Sequence, residues 1–425
     1  MMLALGLLLL ALLGAPLFIV IASGALAGFS SADIDLMVMA IEIYRLAEMP
    51  VLVAIPLFTF AGFLLGESRA PQRLVNLSHA LLGWLPGGLA IVALATCALF
   101  TAFTGASGVT IVALGALLYP ALKQAGYAEH FNLGLITSSG SLGLLFAPSL
   151  PLILYGVVAQ QLGLNTPVSI DDLFIAGILP GLLMLALLSI WSMMQRPQAV
   201  IEAEKNHVPV KQALRDAAWE IPLPFVVLGG IYSGYFAVSE AAAVTAIYVF
   251  VVEVLIHREI RLSRLPGLIR ESMVLVGGIL IILGVSLAST NYMIDAGIPQ
   301  QLFETVRQYI DNKWTFLIAL NIFLLALGMM LDIFSALVII VPIILPIAIG
   351  YGIHPVHLGI VFLANMQLGY FTPPVGMNLF IASYRFNKPV MVLYRATIPF
   401  FLILLGAVLI ITYWPALSLG LLGIE

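Results

Sequence analysis

Formal charge is what this chain has least of. Asp, Glu, Lys and Arg make up 9% of its 425 residues, where soluble proteins carry roughly 25%. That scarcity excludes a water-soluble globular domain. The net charge of −4 is scattered, with no basic patch, which excludes a nucleic-acid-binding surface. A single cysteine, Cys97, excludes an intrachain disulfide and reads as core packing within an apolar segment. The six histidines, His79, His130, His207, His257, His354 and His357, fall at segment ends or loops without metal-ligand spacing. No Gly-x-x-x-x-Gly-Lys-Ser/Thr phosphate loop occurs, which excludes that route to ATP chemistry. Alternating-polarity segments of about 10 residues, the mark of a membrane β-barrel, are absent too.

What is present is apolar: 62% of the residues are hydrophobic. A spanning helix needs about 20 mostly apolar residues, so the length fits roughly ten to twelve of them. The fold expected is an all-α polytopic membrane protein. Spanning segments are expected near 3–23, 48–66, 87–104, 131–160, 173–194, 221–256, 272–290, 314–331, 357–384 and 391–413, with 105–122 and 332–349 as re-entrant hairpins. The first segment lacks a basic flank and is longer than a signal peptide's apolar core of about 7–15 residues, so it is expected to be a span.

The one long polar connector, 195–219, divides the chain into halves, 1–210 and 211–425, that look duplicated. Leu133-Gly134-Leu135 returns as Leu358-Gly359-Ile360, and Ala147-Pro148-Ser149 as Thr372-Pro373-Pro374, both 225 residues on. Pro120 and Pro346 lie 226 apart, as do Gly143 and Gly369. Sidedness is contested. Basic loops favour the cytoplasm, which places both 195–219 and 257–271 inside and requires two crossings within 221–256. An inverted repeat starting there favours one.

Two apolar runs are too long for a single crossing. Residues 74–122 carry no formal charge, yet Thr104-Gly105-Ala106-Ser107-Gly108 sits in their middle. Residues 333–384 are also uncharged, and follow Gly328-Met329-Met330-Leu331-Asp332. Backbone that leaves helical geometry at membrane depth survives only when buried in protein or lining a solute cavity. Paired breaks in matching halves point to a secondary transporter.

At the first break, the hydroxyls of Thr104 and Ser107 would join carbonyls freed by Pro148 and Pro151 in a hard-oxygen cage suited to Na⁺. The bland alternative is a kink, with both hydroxyls bonded to their own backbone. At the second break, Asp332 is the only acid within 314–384. A carboxylate at bilayer depth costs about 2.5–3.5 kcal/mol on insertion scales, so it needs a partner. A cation is one, and the helix N-terminus it would cap is the other. Around it lie Ser335, Asn365, Gln367, Gly369 and Thr372 to Asn378. Facing half-helix N-termini also suit an anionic solute, for which Gly105, Ser149, Ser335, Asn365, Gln367 and Asn378 are the candidate contacts. Val238-Ser239-Glu240 reads as a helix start.

The stretches Ile55-Pro56-Leu57-Phe58, Leu85-Pro86-Gly87-Gly88-Leu89-Ala90, Thr104 to Gly108, Gly134 to Gly156, Tyr232-Ser233-Gly234, Ser239-Glu240-Ala241-Ala242-Ala243, Gly328 to Asp332 and Gly369 to Phe380 together resemble the large membrane subunit of tripartite ATP-independent periplasmic (TRAP) transporters. The likeness runs in order over nearly the whole chain. It implies an inverted-repeat, elevator-type fold with two re-entrant hairpins and discontinuous helices, in the bacterial inner membrane. It also implies Na⁺-coupled uptake of small anionic organic solutes, a small four-helix membrane subunit, and a periplasmic substrate-binding protein. Membrane lipid surrounds such a subunit, and no organic cofactor is implied. The family's sodium sites would fall on Thr104, Ser107, Gly143, Phe146 and Pro148, and on Asp332, Gly369, Thr372 and Pro374. The family usually has Ser-Gly-Ser-Ser at the first tip, where this chain has Thr104-Gly105-Ala106-Ser107. It usually has two prolines where this chain has Ala147-Pro148.

Two rivals follow from the same residues. A stand-alone ion-coupled carboxylate transporter or antiporter would share the architecture without a binding protein. An intramembrane serine protease using Ser107 would need a histidine base within hydrogen-bond reach.

Overall fold

The computed structural model describes residues 6, 7, 9, 10, 13–82, 85, 87–163, 166–195 and 209–424, and within them all regular structure is helical. The first half comprises α1 (Leu17–Ser31), α2 (Met37–Arg45), α3 (Ala54–Glu67), α4 (Ala70–Leu82), α5 (Gly88–Thr104), α6 (Ser107–Gln124), α7 (Glu129–Ser139), α8 (Leu150–Gln161), α9 (Ile170–Ala176) and α10 (Ile178–Met194). The second comprises α11 (Val210–Asp216), α12 (Pro222–Tyr232), α13 (Val238–Phe250), α14 (Leu265–Asp295), α15 (Ile298–Tyr309), α16 (Lys313–Met330), α17 (Ile333–Gly350), α18 (Pro355–Gly369), α19 (Met377–Phe386), α20 (Val390–Tyr413) and α21 (Ala416–Leu419).

Among the described residues, seven helices are long and apolar enough to cross a bilayer: Pro50–Glu67, Ile170–Met194, Val238–Ile256, Leu265–Asp295, Lys313–Met330, Ile333–Gly350 and Val390–Tyr413. An eighth candidate is the pair Glu129–Leu145 and Leu150–Gln161, bent by 42° at its break. The protein is a polytopic α-helical membrane protein.

Local chemistry sets several boundaries. Asn312 caps α16, its side-chain oxygen accepting from the Thr315 N–H at 2.9 Å. Ser169 caps α9 through the Asp171 N–H at 3.2 Å. Ahead of α13, the Glu240 carboxylate reaches back to accept from the Ala237 N–H at 2.9 Å, so the Ser239-Glu240 motif is a helix start, as expected.

The structure redraws four expected segments. Residues 105–122 and 332–349 are not complete hairpins. Each is the continuous second arm of a helix–tip–helix pair, α5–α6 and α16–α17, whose first arm had been read as a span. Segment 221–256 is two helices, α12 and α13, with a turn at 233–237 and Gly234 at φ 74°. Of the segment expected at 3–23, residues 1–5, 8, 11 and 12 lie outside the described part. The chain turns at Gly14 (φ 81°), and α1 begins after Pro16.

The two ends of the divided 221–256 segment meet at one side chain. On α4, the Arg73 guanidinium bonds Glu220 through Nε at 2.5 Å, Glu253 at 3.0 Å and Glu259 at 2.6 Å. Glu220 precedes α12, and Glu259 follows α13. The chain therefore leaves one end of the molecule and returns to it between them, which brings residues 209–220 and 257–264 to one end.

The halves interlock. The second arm α6 packs on α19 of the other half, the arm α17 packs on α8, and α20 lies along α7. Small residues permit these approaches, as at many membrane helix crossings. A Cβ on Gly134 would fall 2.2 Å from the Ala396 carbonyl oxygen, and one on Gly359 would fall 2.6 Å from the Tyr155 ring. The Tyr155 hydroxyl donates to the Pro355 carbonyl at 2.6 Å. Around this core, α3 packs against α13 and α14, while α14 also holds α1 and α2.

Candidate functional site

Both expected breaks are real departures from helix. In the first, α5 ends at Thr104 with Gly105 in the left-handed region at φ 64°, and α6 restarts at Ser107. Opposite lies the gap between α7 and α8, a 3₁₀ turn at Leu142–Leu145 followed by the cis bond Ala147–Pro148. Backbones meet closely here. A Cβ on Gly143 would lie 2.2 Å from the Ala98 carbonyl oxygen and 2.5 Å from the Ala102 nitrogen, and one on Gly105 would lie 2.6 Å from Leu150. Thr104, Gly105, Gly143, Pro148 and Ser149 are buried together. The Phe146 ring instead packs towards Gly181, so only its backbone faces the turn; its carbonyl accepts from the Ser149 N–H at 3.1 Å.

The second break repeats the plan. Between α16 and α17 lie Leu331 and Asp332; between α18 and α19 the chain is non-helical, with a cis bond at Pro373–Pro374. A Cβ on Gly369 would lie 2.4 Å from the Gly328 Cα, so both glycines are required by contact. Asp332 caps α17. Its Oδ1 accepts from the Phe334 and Ser335 N–H groups, each at 3.0 Å, and its Oδ2 accepts from the Ser335 hydroxyl at 2.5 Å. The Ile333 N–H donates to the Tyr370 hydroxyl at 2.6 Å. Thr372 donates back to the Leu368 carbonyl at 2.6 Å, and the Pro374 carbonyl accepts from the Tyr394 hydroxyl.

The breaks are joined directly. The Ser107 hydroxyl donates to Asn378 Oδ1 at 2.8 Å, and the Asn378 amide donates to the Thr137 carbonyl at 3.3 Å. The Ser141 hydroxyl donates to the Gln367 carbonyl at 3.4 Å. Ser107 is therefore bonded to an asparagine, not to a histidine base.

Asn365 takes another direction. Its amide donates to Asn321 Oδ1 at 2.6 Å, and the Thr412 hydroxyl shares that acceptor at 3.1 Å. That contact places it in a buried polar seam between α16, α18 and α20, away from the tips. Among the described residues, Ser149 Oγ, Asn365 Oδ1 and both amide atoms of Gln367 are buried without a hydrogen-bond partner. A buried polar atom left unpaired costs about 1–3 kcal/mol, and Asn132 Oδ1, Trp191 Nε1 and Tyr413 Oη share that state elsewhere in the fold. No group of three His, Cys, Asp or Glu among the described residues could hold a metal ion. A cation here would be held by hydroxyls, carbonyls and the Asp332 carboxylate, the hard-oxygen donors that suit Na⁺.

Sequence reasoning missed several participants. Thr101 bonds Thr110 at 2.7 Å and the Gly140 carbonyl at 2.9 Å, bracing the first tip. A Cβ on Gly62 of α3 would lie 2.6 Å from the Thr104 Cα. Tyr370, Asn321 and Thr412 were likewise unmarked. The uncharged runs in which Thr101 and Tyr370 sit were visible, but which of their polar residues turn inward was not.

A cavity of about 680 Å³ opens elsewhere, between α2, residues 48–51 ahead of α3, α13 and α14 on one wall and α8 and α9 on the other. Glu42, Arg45, Glu48, Gln160, Asp171 and Asn291 supply its polar lining.

The family described as "Tripartite ATP-independent periplasmic transporter, DctM component" matches residues 1–417. The chain belongs to this family. It is 34% identical over 403 residues to the C4-dicarboxylate TRAP transporter large permease protein DctM of Pseudomonas aeruginosa, covering 94% of this chain and 92% of that protein. It is 32% identical over 422 residues to the ectoine/5-hydroxyectoine TRAP transporter large permease protein UehC of Ruegeria pomeroyi, covering 96% and 95%. An isethionate TRAP transporter permease of Oleidesulfovibrio alaskensis matches at 34% identity over 88% of this chain and 58% of that longer protein. Among solved structures, the YdaH transporter of Alcanivorax borkumensis aligns with a TM-score of 0.65 at 14% identity, over 90% of this chain and 88% of that one. This likeness carries the fold. As a TRAP large permease, the chain is a transporter subunit and not an enzyme, which removes the protease rival.

Proposed function

We propose that this TRAP permease subunit is the membrane path of a sodium-coupled importer of small organic acids in the bacterial inner membrane. A periplasmic binding protein delivers the solute, and a small four-helix subunit completes the membrane part. The observation that carries the reading is the junction of the two breaks, where Asn378 of the second half receives the Ser107 hydroxyl of the first tip at 2.8 Å. A solute held there touches both halves at once.

The chemistry of each part supports a role. Thr104, Ser107 and the backbone at Gly143, Phe146 and Pro148 offer one set of oxygens; Asp332, Thr372 and the backbone at Gly369 and Pro374 offer the other. Sodium at each set orders its tip. The α6 N-terminus, with Gly105 before it and no side-chain cap, directs N–H groups and the positive dipole end at an anionic solute. Ser149, Gln367 and Asn378 add neutral polar contacts. Ser335, bonded to Asp332, and Asn365, bonded to Asn321, act on the solute only by holding their neighbours. The two tips with their broken helices form the moving part, which slides against α3, α13 and α14 in an elevator motion. The names of relatives that act on C4-dicarboxylates and ectoine are consistent with small polar organic solutes.

The test is uptake driven by a sodium gradient in proteoliposomes holding the permease, its small subunit and the loaded binding protein. Asp332→Asn abolishes sodium-dependent uptake while the protein stays folded. Undiminished coupling in that variant overturns the assignment of Asp332, and gradient-independent uptake by the wild type overturns sodium coupling.

A further inference from the structure

The connector between the spans Val238–Ile256 and Leu265–Asp295 sorts its charges by direction. Glu259 of the connector and Glu253 in the last turns of the preceding span turn inward, while Glu271 stays exposed. Glu253 and Glu259 bond Arg73, and Glu259 Oε2 also accepts from the Arg69 N–H at 2.7 Å. Arg264 is neutralised by Glu67 at 3.0 Å and Glu271 at 3.6 Å. Three arginines are left over: Arg258, Arg261 and Arg270 are exposed and have no acidic partner among the described residues.

Backbone geometry produces this sorting. The end of α13 widens into a π-turn at Val251–Ile256, and Arg258 follows in the left-handed region at φ 54°. The Glu259 N–H then donates to the Glu253 carbonyl at 3.1 Å. The reversal carries the Glu259 side chain to Arg73 and leaves that of Arg258 in solvent. Beside the free arginines stand exposed apolar side chains, Leu255, Ile256, Ile269 and Leu262, the last 68% exposed. Trp219 is exposed at the same end, its carbonyl accepting from the Tyr248 hydroxyl at 2.7 Å, an aromatic where a membrane interface favours one.

We propose that Arg258, Arg261 and Arg270 form a binding site for the phosphate headgroup of an anionic phospholipid, with Leu255, Leu262 and Ile269 against its acyl chains. The linker joins two spans, so it lies at the bilayer boundary whatever the transport mechanism is. The basic-loop rule puts it in the cytoplasmic leaflet. Three unneutralised guanidiniums above an apolar skirt match an anionic headgroup above its chains, and each basic residue near such a surface contributes roughly five-fold to binding. The outward arginines on this end thus serve the lipid, while Arg73 serves the fold.

The test titrates the purified full chain in neutral detergent with phosphatidylglycerol, phosphatidylcholine or inorganic phosphate, reading bound lipid by native mass spectrometry and melting temperature in parallel. Phosphatidylglycerol binds and raises the melting temperature; phosphatidylcholine and inorganic phosphate do not. The triple variant Arg258→Gln/Arg261→Gln/Arg270→Gln weakens phosphatidylglycerol binding on the order of 10–100-fold, while the triple lysine variant retains it. Wild-type binding falls as salt rises, a readout independent of any variant's folding. Equal binding of phosphatidylcholine, full competition by inorganic phosphate, or unchanged affinity in the glutamine variant overturns the proposal.

Discussion

The two hairpin tips share a backbone plan and divide the electrostatics between them. At the second tip, α17 is satisfied from within. Asp332 takes two N–H groups and a hydroxyl of the following turn, and Tyr370 takes the Ile333 N–H. At the first tip, Ala106 occupies the capping position in extended geometry, with φ −130° and ψ 109°, and supplies no side-chain cap. Its neighbour Ser107 reaches across to Asn378 of the other half. One tip therefore carries its own negative charge. The other presents an open positive dipole end. Under the proposed function, the second tip adds a carboxylate to its sodium-holding oxygens, while the first leaves its N–H groups to the anionic solute, a division that identical tips would not supply.

The largest effects should come from the glycine contacts both tips require. Gly369→Ala pushes a methyl to 2.4 Å from Gly328, and Gly143→Ala pushes one to 2.2 Å from the Ala98 carbonyl. Each should lower stability by about 1–3 kcal/mol or more, because neither contact is a side chain that can move aside. Thermal melting of the purified protein checks this, and a tip that tolerates alanine breaks the parallel between them.

Next come substitutions that separate charge from capping at the second tip. Asp332→Asn keeps a capping oxygen and removes the charge, so stability changes little while sodium-dependent uptake falls at least about tenfold, the equivalent of about 1.4 kcal/mol. Asp332→Ala also loses the cap, at about 1 kcal/mol of stability. If Asp332→Asn transports like the wild type and only Asp332→Ala melts lower, the carboxylate acts only as a cap.

The junction between halves is sharpened by Ser107→Ala. It leaves Asn378 Oδ1 buried with one partner fewer, costing about 1–2 kcal/mol. Combined with Asn378→Ala, the double variant should show a coupling of at least about 0.5 kcal/mol. Additive melting shifts would mean the two breaks are independent.

The smallest effect is a gain. Ala106→Ser places a capping hydroxyl where the first tip lacks one, which should raise stability by about 0.5–1 kcal/mol. The same hydroxyl competes for N–H groups offered to the solute, so the KM for uptake should rise. A gain in stability with unchanged KM would remove the α6 N-terminus from solute binding.

Much of this was legible in the chain. Long uncharged runs interrupted by Gly, Ser and Asp marked both breaks, because the bilayer tolerates such interruptions only where protein or a guest satisfies the backbone. Asp332 was found on that ground, and Gly143 and Gly369 by their 226-residue spacing. The hairpin boundaries were less legible. Hydropathy does not distinguish a helix that crosses from one that stops at a tip, so α5 and α16 read as spans and their partners as whole hairpins. Asn365 was grouped with the tips by its proximity in sequence, yet its amide turns to Asn321 and Thr412.

By itself, the order of apolar and polar residues determined a helical membrane protein with two interruptions. It did so because each spanning helix must satisfy its own backbone and cover itself with apolar side chains, both local properties. Only the tertiary structure decided which half serves which tip: that Ser107 meets Asn378, that α12 and α13 return to Arg73, and that Glu259 of the 257–271 connector turns in to Arg73 while Arg258, Arg261 and Arg270 turn out. Such pairings depend on the approach of residues more than 100 positions apart, and no local pattern records them.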